Sequence, residues 1–131
     1  MATVEEAALE PLLYFPHDSN ARRDPKIRRL LHWGGMAAYG RWWALCEYLA
    51  FVDNHIALFN NDVEKSITAA ELEMSVADAE AFLAQLALLH LIDPELFAEG
   101  RVCNARMVEN ALVRARKQAA GAKGGRPKKQ G

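Results

Sequence analysis

The chain is poor in the features that mark an enzyme, a secreted protein or a membrane protein. No apolar run approaches the ~20 residues that cross a bilayer. Only two cysteines are present, Cys46 and Cys103, in segments that read as a core helix and a short strand. Buried thiols in a reducing, cytoplasmic setting are expected, and nothing in the pattern supports a disulfide. The N-terminus carries Glu5 and Glu6 with no early Lys or Arg, so a signal peptide is not expected. His17, His32, His55 and His90 have no zinc-type spacing to one another or to the cysteines. His90 follows an apolar helix face and reads as structural. Neither the Gly-x-x-x-x-Gly-Lys-Ser/Thr phosphate loop nor a Gly-x-Gly-x-x-Gly turn occurs. His17-Asp18 is the one pair that a metal-dependent nuclease could use, and adjacent loop residues of these types more often serve turns and caps. The expectation is therefore a non-enzymatic protein with no catalytic residue, no metal and no cofactor.

Basic residues are also scarce, but only in the middle of the chain. Residues 42–100 hold one, Lys65, against eleven acidic ones, whereas residues 101–131 hold nine against Glu109 alone. A net charge of −1 thus hides one region that should repel polyanions and another that should attract them. At 131 residues, with 51% hydrophobic and 25% charged, the composition is that of one ordinary globular domain.

Local signals divide the chain into a lead-in segment (1–13), a folded domain (14–119) and a basic tail (120–131). The lead-in reads as weakly ordered, with Leu9, Leu12 and Leu13 available to dock. Asp24 can cap a helix with Pro25 in its first turn. Ile27, Leu30 and Leu31 form its inward stripe, and Gly34-Gly35 ends it. A second helix, about 36–52, is apolar nearly all round and should be central; it can bury both Trp42 and Trp43. Residues 55–59 and 101–104 are short strand candidates. Asn60-Asn61-Asp62 caps a third helix (63–73), and Ser75 with Asp78 caps a fourth (76–89). Asp93-Pro94 starts a single turn, and a last helix begins near Ala105 and runs toward Ala120. The tail should be disordered in isolation. Two helices joined by a short break, with a strand candidate on either side, predict a mainly α (α+β) fold. Its expected form is a winged-helix, helix-turn-helix-like single domain with a short β wing and a long C-terminal helix.

The fourth helix holds the place of a recognition helix, yet its expected outward residues are Ala77, Asp78, Glu80, Ala81, Ala84, Gln85, Ala87 and Leu88. Only Gln85 has base-reading chemistry, so the helix is expected to pack on a partner or lie away from DNA. The cations fall elsewhere. Arg22, Arg23, Lys26, Arg28 and Arg29 cluster at the N-terminal loop and first helix. Arg114, Arg116 and Lys117 lie on the last helix, and Lys123, Arg126, Lys128 and Lys129 on the tail. These twelve are the candidate DNA-binding residues. Gly125-Arg126-Pro127, flanked by lysines, resembles an AT-hook core suited to a narrow A·T minor groove.

The run Tyr14-Phe15-Pro16-His17-Asp18-Ser19-Asn20-Ala21-Arg22-x-Asp24-x-Lys26-Ile27, followed by Gly35-Met36-x-x-Tyr39-Gly40-x-Trp42-Trp43-x-x-x-Glu47, resembles a domain of phage and prophage proteins. That domain, of unknown function, stands at the N-terminus of replisome-organiser or replication-initiation-like proteins of Gram-positive bacteria. The resemblance covers residues 14–49 strongly and extends more loosely to about 118. It implies a winged-helix fold, binding to origin-type DNA and no catalytic residues. The chain departs from the pattern in ending after the basic tail and in having an acidic fourth helix. The expectation is therefore an accessory or regulatory protein bound to double-stranded DNA, able to join a replication or regulatory complex or a homo-oligomer, with no membrane contact. The alternative is a protein-interaction module whose acidic 62–99 surface docks a basic partner.

Overall fold

The computed structural model describes residues 3–122. Along them run α1 (Val4–Ala8), a 3-10 turn (Ala21–Arg23), α2 (Pro25–Phe51), β1 (Ile56–Leu58), α3 (Asp62–Glu71), α4 (Val76–Leu88), α5 (Pro94–Ala98), β2 (Arg101–Cys103) and α6 (Ala105–Ala122). The fold is mainly helical with one small antiparallel sheet, in which Ile56 faces Cys103, Ala57 faces Val102 and Leu58 faces Arg101.

α2 is two helical limbs joined at a kink. Gly35 interrupts it at φ 68° and ψ −160°, a backbone region open to glycine and costly for any side chain. The first limb buries Ile27 and Leu30; the second buries Ala38, Trp42, Leu45, Cys46, Leu49 and Ala50. α3 and α4 close over this limb, each started by an expected cap: Asn61 Oδ1 accepts from Glu64 N at 2.9 Å, and Ser75 Oγ from Asp78 N at 3.1 Å. Phe82, Leu83 and Leu86 of α4 reach the centre with Val102 of β2. Ala87, expected outside, is buried because α4 packs on three neighbours, α2, α3 and α5, and so hides a wider stripe.

Residues 4–8 form a helix rather than a weakly ordered lead-in. Thr3 and Glu6 close a reciprocal capping box, with Oγ1 of Thr3 accepting from Glu6 N at 3.0 Å and Glu6 Oε1 from Thr3 N at 3.4 Å. The helix is held in place by packing: Ala8 meets Ala111 and Ala115 of α6. A buried histidine, His55, completes the joint. Its Nδ1 lies 2.9 Å from the Leu49 carbonyl and its Nε2 2.9 Å from that of Ala8. α6 itself continues to Ala122, so residues 120–122 belong to a helix and not to the tail.

Candidate functional site

Residues 12–24 form a strap that connects α1 to α2 and lies against α6. Its N-terminal half is held by rings. The Phe15 and His17 rings lie parallel to the Trp43 indole, with centroids 6.1 and 3.5 Å away. Tyr14 receives Arg114: the guanidinium sits 4.2 Å from the ring centroid and donates to the phenol oxygen. Asp18 forms an ion pair with Arg106 at 3.2 Å. His17 and Asp18, adjacent in sequence, therefore go to different partners.

The strap ends in the 3-10 turn and then Asp24, whose Oδ1 accepts from Lys26 N at 2.8 Å, with Pro25 at the first helical position. Because Ile27 and Leu30 take the inward face, Lys26, Arg28 and Arg29 are directed outward and are exposed, as are Arg22 and Arg23. Arg22, Arg23 and Arg28 converge with Ser19, Asn20 and Leu31 around a hollow of about 230 Å³. No carboxylate lines it. Among the described residues, none of the five cations of this cluster forms a salt bridge. Lys26 Nζ instead donates to the His90 carbonyl at 3.3 Å. His90 is structural through this backbone group and its left-handed φ of 59°, while its side chain is exposed.

Beside the hollow, a groove of about 610 Å³ runs between the strap and α6. Ile27, Trp42, Trp43 and Met107 supply apolar lining; Arg23, Lys26, Arg106 and Arg114 supply the cations. Trp42 turns into the core and Trp43, half-buried, turns to the strap, as adjacent positions ~100° apart on one helix require. The Trp43 indole N–H is buried and has no hydrogen-bond partner among the described residues. Cys46 also lines the groove. Burial pushes its thiol up to about 12, opposed by the Asn104 amide and aided by the Glu47 carboxylate. Cys103 is pushed up by burial and then by Asp93. Both are free, buried thiols, held in the protonated and unreactive form.

Two of the sequence clusters thus meet in space: Arg23 and Lys26 of the first, and Arg114 of the last helix, line one groove. Arg114 is half-buried on Tyr14 and is a strap anchor as well as a cation. Arg116 and Lys117 are exposed on α6 and line neither cavity. Lys123, Arg126, Lys128 and Lys129 lie outside the described residues. Sequence reading passes over Arg106, Asn110 and the Tyr14–Arg114 pair. The only signal for them was the helical spacing of 106, 110 and 114, which sets all three on one face of α6.

The architecture defines the class first: a mainly helical domain with a two-stranded antiparallel sheet and a basic edge at the start of its central helix. Residues 14–106 match the family described as Lin1244/Lin1753-like, N-terminal, and the chain belongs to that family. No curated protein and no solved structure matches the chain.

Proposed function

We propose that the protein is a non-enzymatic accessory or regulatory DNA-binding protein that grips the phosphate backbone of double-stranded DNA through its basic edge. The observation that carries this reading is the three-arginine hollow free of carboxylates, next to the groove shared by Arg23, Lys26 and Arg114. Guanidinium forks match phosphate oxygens in charge and geometry. The acidic helices support a contact made by this edge and not by α4, whose exposed residues include Asp78 and Glu80. The order α2, β1, α3, α4, β2, with the single-turn α5 between α4 and β2, supports a winged-helix-like reading, with α6 following β2 where a second wing strand would return. Relation to the replisome-organiser N-terminal domains of Gram-positive bacteria and their phages, and action in the cytoplasm, belong to the same reading.

Duplex affinity measured against salt tests it. With about six phosphates neutralised, the affinity falls ~10³-fold between about 50 and 200 mM salt. Removing residues 123–131 lowers the affinity without abolishing it. Absence of duplex binding at the lower salt sinks the reading.

One observation favours the alternative, a protein-docking surface. Val63 and Ile67 on α3 and Leu88 on α4 are 68%, 46% and 72% exposed on the acidic side of the molecule. Capture of a basic protein that survives nuclease and is lost in Asp78→Lys with Glu80→Lys would support that surface.

A further inference from the structure

We infer that the arginine hollow and the adjoining groove together form a site for one unstacked nucleotide, with its phosphate in the hollow and its base in the groove. The inference rests on the DNA-binding reading above and goes beyond it, because a base stacked and paired within a duplex cannot enter a groove of this kind.

The two cavities are neighbours: Asn20 and Arg23 line both. Their chemistries differ in the sense that a nucleotide needs. The hollow offers three guanidinium groups, the Ser19 hydroxyl and the Asn20 amide, a set of donors complementary to phosphate oxygens. At about 230 Å³ it has room for a phosphate and part of the sugar that carries it. The groove, at about 610 Å³, is of the size that holds small organic ligands. Ile27, Trp42 and Met107, only 4–6% exposed, form its apolar floor, and the edge of Trp43, whose ring is stacked on His17, forms a wall, so a base is held there by apolar contact and exclusion of water. Asn20 and Asn110 are exposed at its edge, and an amide carries both the donor and the acceptor that a base edge requires. The two carboxylates of the groove do not oppose an anion freely. Asp18 is paired with Arg106, and Asp24 Oδ1 is held by the Lys26 N–H.

The same nucleoside phosphate could come from a single strand, from a frayed duplex end or from free nucleotide. The full chain is therefore titrated at about 50 mM salt with an oligothymidylate strand, with that strand paired to its complement, and with thymidine monophosphate. Anisotropy of labelled DNA reads the first two, and tryptophan quenching reads the third. The expected result is about tenfold tighter binding of the strand than of the duplex, the worth of one well-placed base. Asn110→Phe, which crowds the groove, erases that preference, and Arg28→Ala weakens the strand about tenfold. Equal binding of strand and duplex, unaltered in ratio by Asn110→Phe, overturns the nucleotide site and leaves duplex binding standing. If no DNA binds, the DNA reading fails by itself. Quenching by thymidine monophosphate that is lost in Arg28→Ala then supports the site and assigns it to free nucleotides; no quenching overturns it.

Discussion

At the scale of single residues, burial decides what each reactive group can do. Cys46 has the residue type of a nucleophile and the environment of a core side chain. In the unfolded chain its thiol ionises near its ordinary 9.0, and in the native protein near 12. The native state therefore keeps a proton that the unfolded state releases between those values. Stability from this thiol is intact below about pH 9 and declines as the pH rises toward 12. We expect the urea midpoint of the wild type to fall more between pH 8 and pH 10 than that of Cys46→Ala. We also expect no alkylation of the native thiol at pH 8. His55 is a further buried polar group, 0% exposed. Both of its ring nitrogens face carbonyl oxygens, one in the last turn of α2 and one at the end of α1. His55→Leu keeps the volume and removes both partners, so a loss of about 2–4 kcal/mol is expected. Limited proteolysis at residues 9–14 should speed up in this variant, because the end of α1 loses a buried link to the rest of the fold.

At the scale of elements, the start signals were legible because they are local chemistry. Asp24-Pro25, Asn61, Ser75 and Asp93-Pro94 each begin a helix where the side chain can reach a free N–H two or three residues ahead. Gly34-Gly35 was legible as a break for the same reason, and the break is Gly35 alone. The contrast with Gly40 tests this. A Cβ at either position meets nothing within 4 Å, so packing is not at issue. Gly35→Ala should cost about 1–3 kcal/mol through the backbone. Gly40→Ala, within the second limb, should stabilise by up to about 1 kcal/mol. Urea midpoints at unchanged m-value decide both. α1 was not legible: a five-residue helix has little propensity of its own and exists because Ala8 fits between Ala111 and Ala115 more than a hundred positions away.

At the scale of the whole molecule, charge segregation in sequence becomes segregation in space, though only in part. The first basic cluster and Arg114 approach each other across the groove. Arg114 and Arg106 are committed to Tyr14 and Asp18 of the strap, so α6 supports the basic edge as much as it enlarges it. This separates the roles of the two clusters in DNA binding. Replacing Arg22, Arg28 and Arg29 together by Ala should lower duplex affinity and reduce the salt slope by roughly three, one per lost phosphate contact. Tyr14→Ala should remove no cation while freeing Arg114 and loosening the strap. It should then change thermal stability and the shape of the groove more than it changes the slope.

Local chemistry along the chain suffices for the helix starts from α2 onward, the Gly35 break, the two short strands, the buried thiols and the acidic character of α3 and α4. Each follows from side-chain chemistry within a few residues or from a periodic apolar stripe. Distant contacts alone establish that α1 exists, that His17 and Asp18 part company, that Arg114 stacks on Tyr14, and that an aromatic groove walled by α6 lies beside the arginine hollow, which is itself built locally from residues between Ser19 and Leu31. Those depend on contacts across 26 to about 100 positions, between Trp43 and His17 or Arg114 and Tyr14. No local propensity encodes such a separation, because the free energy that selects it is gained when the assembled surfaces leave water together.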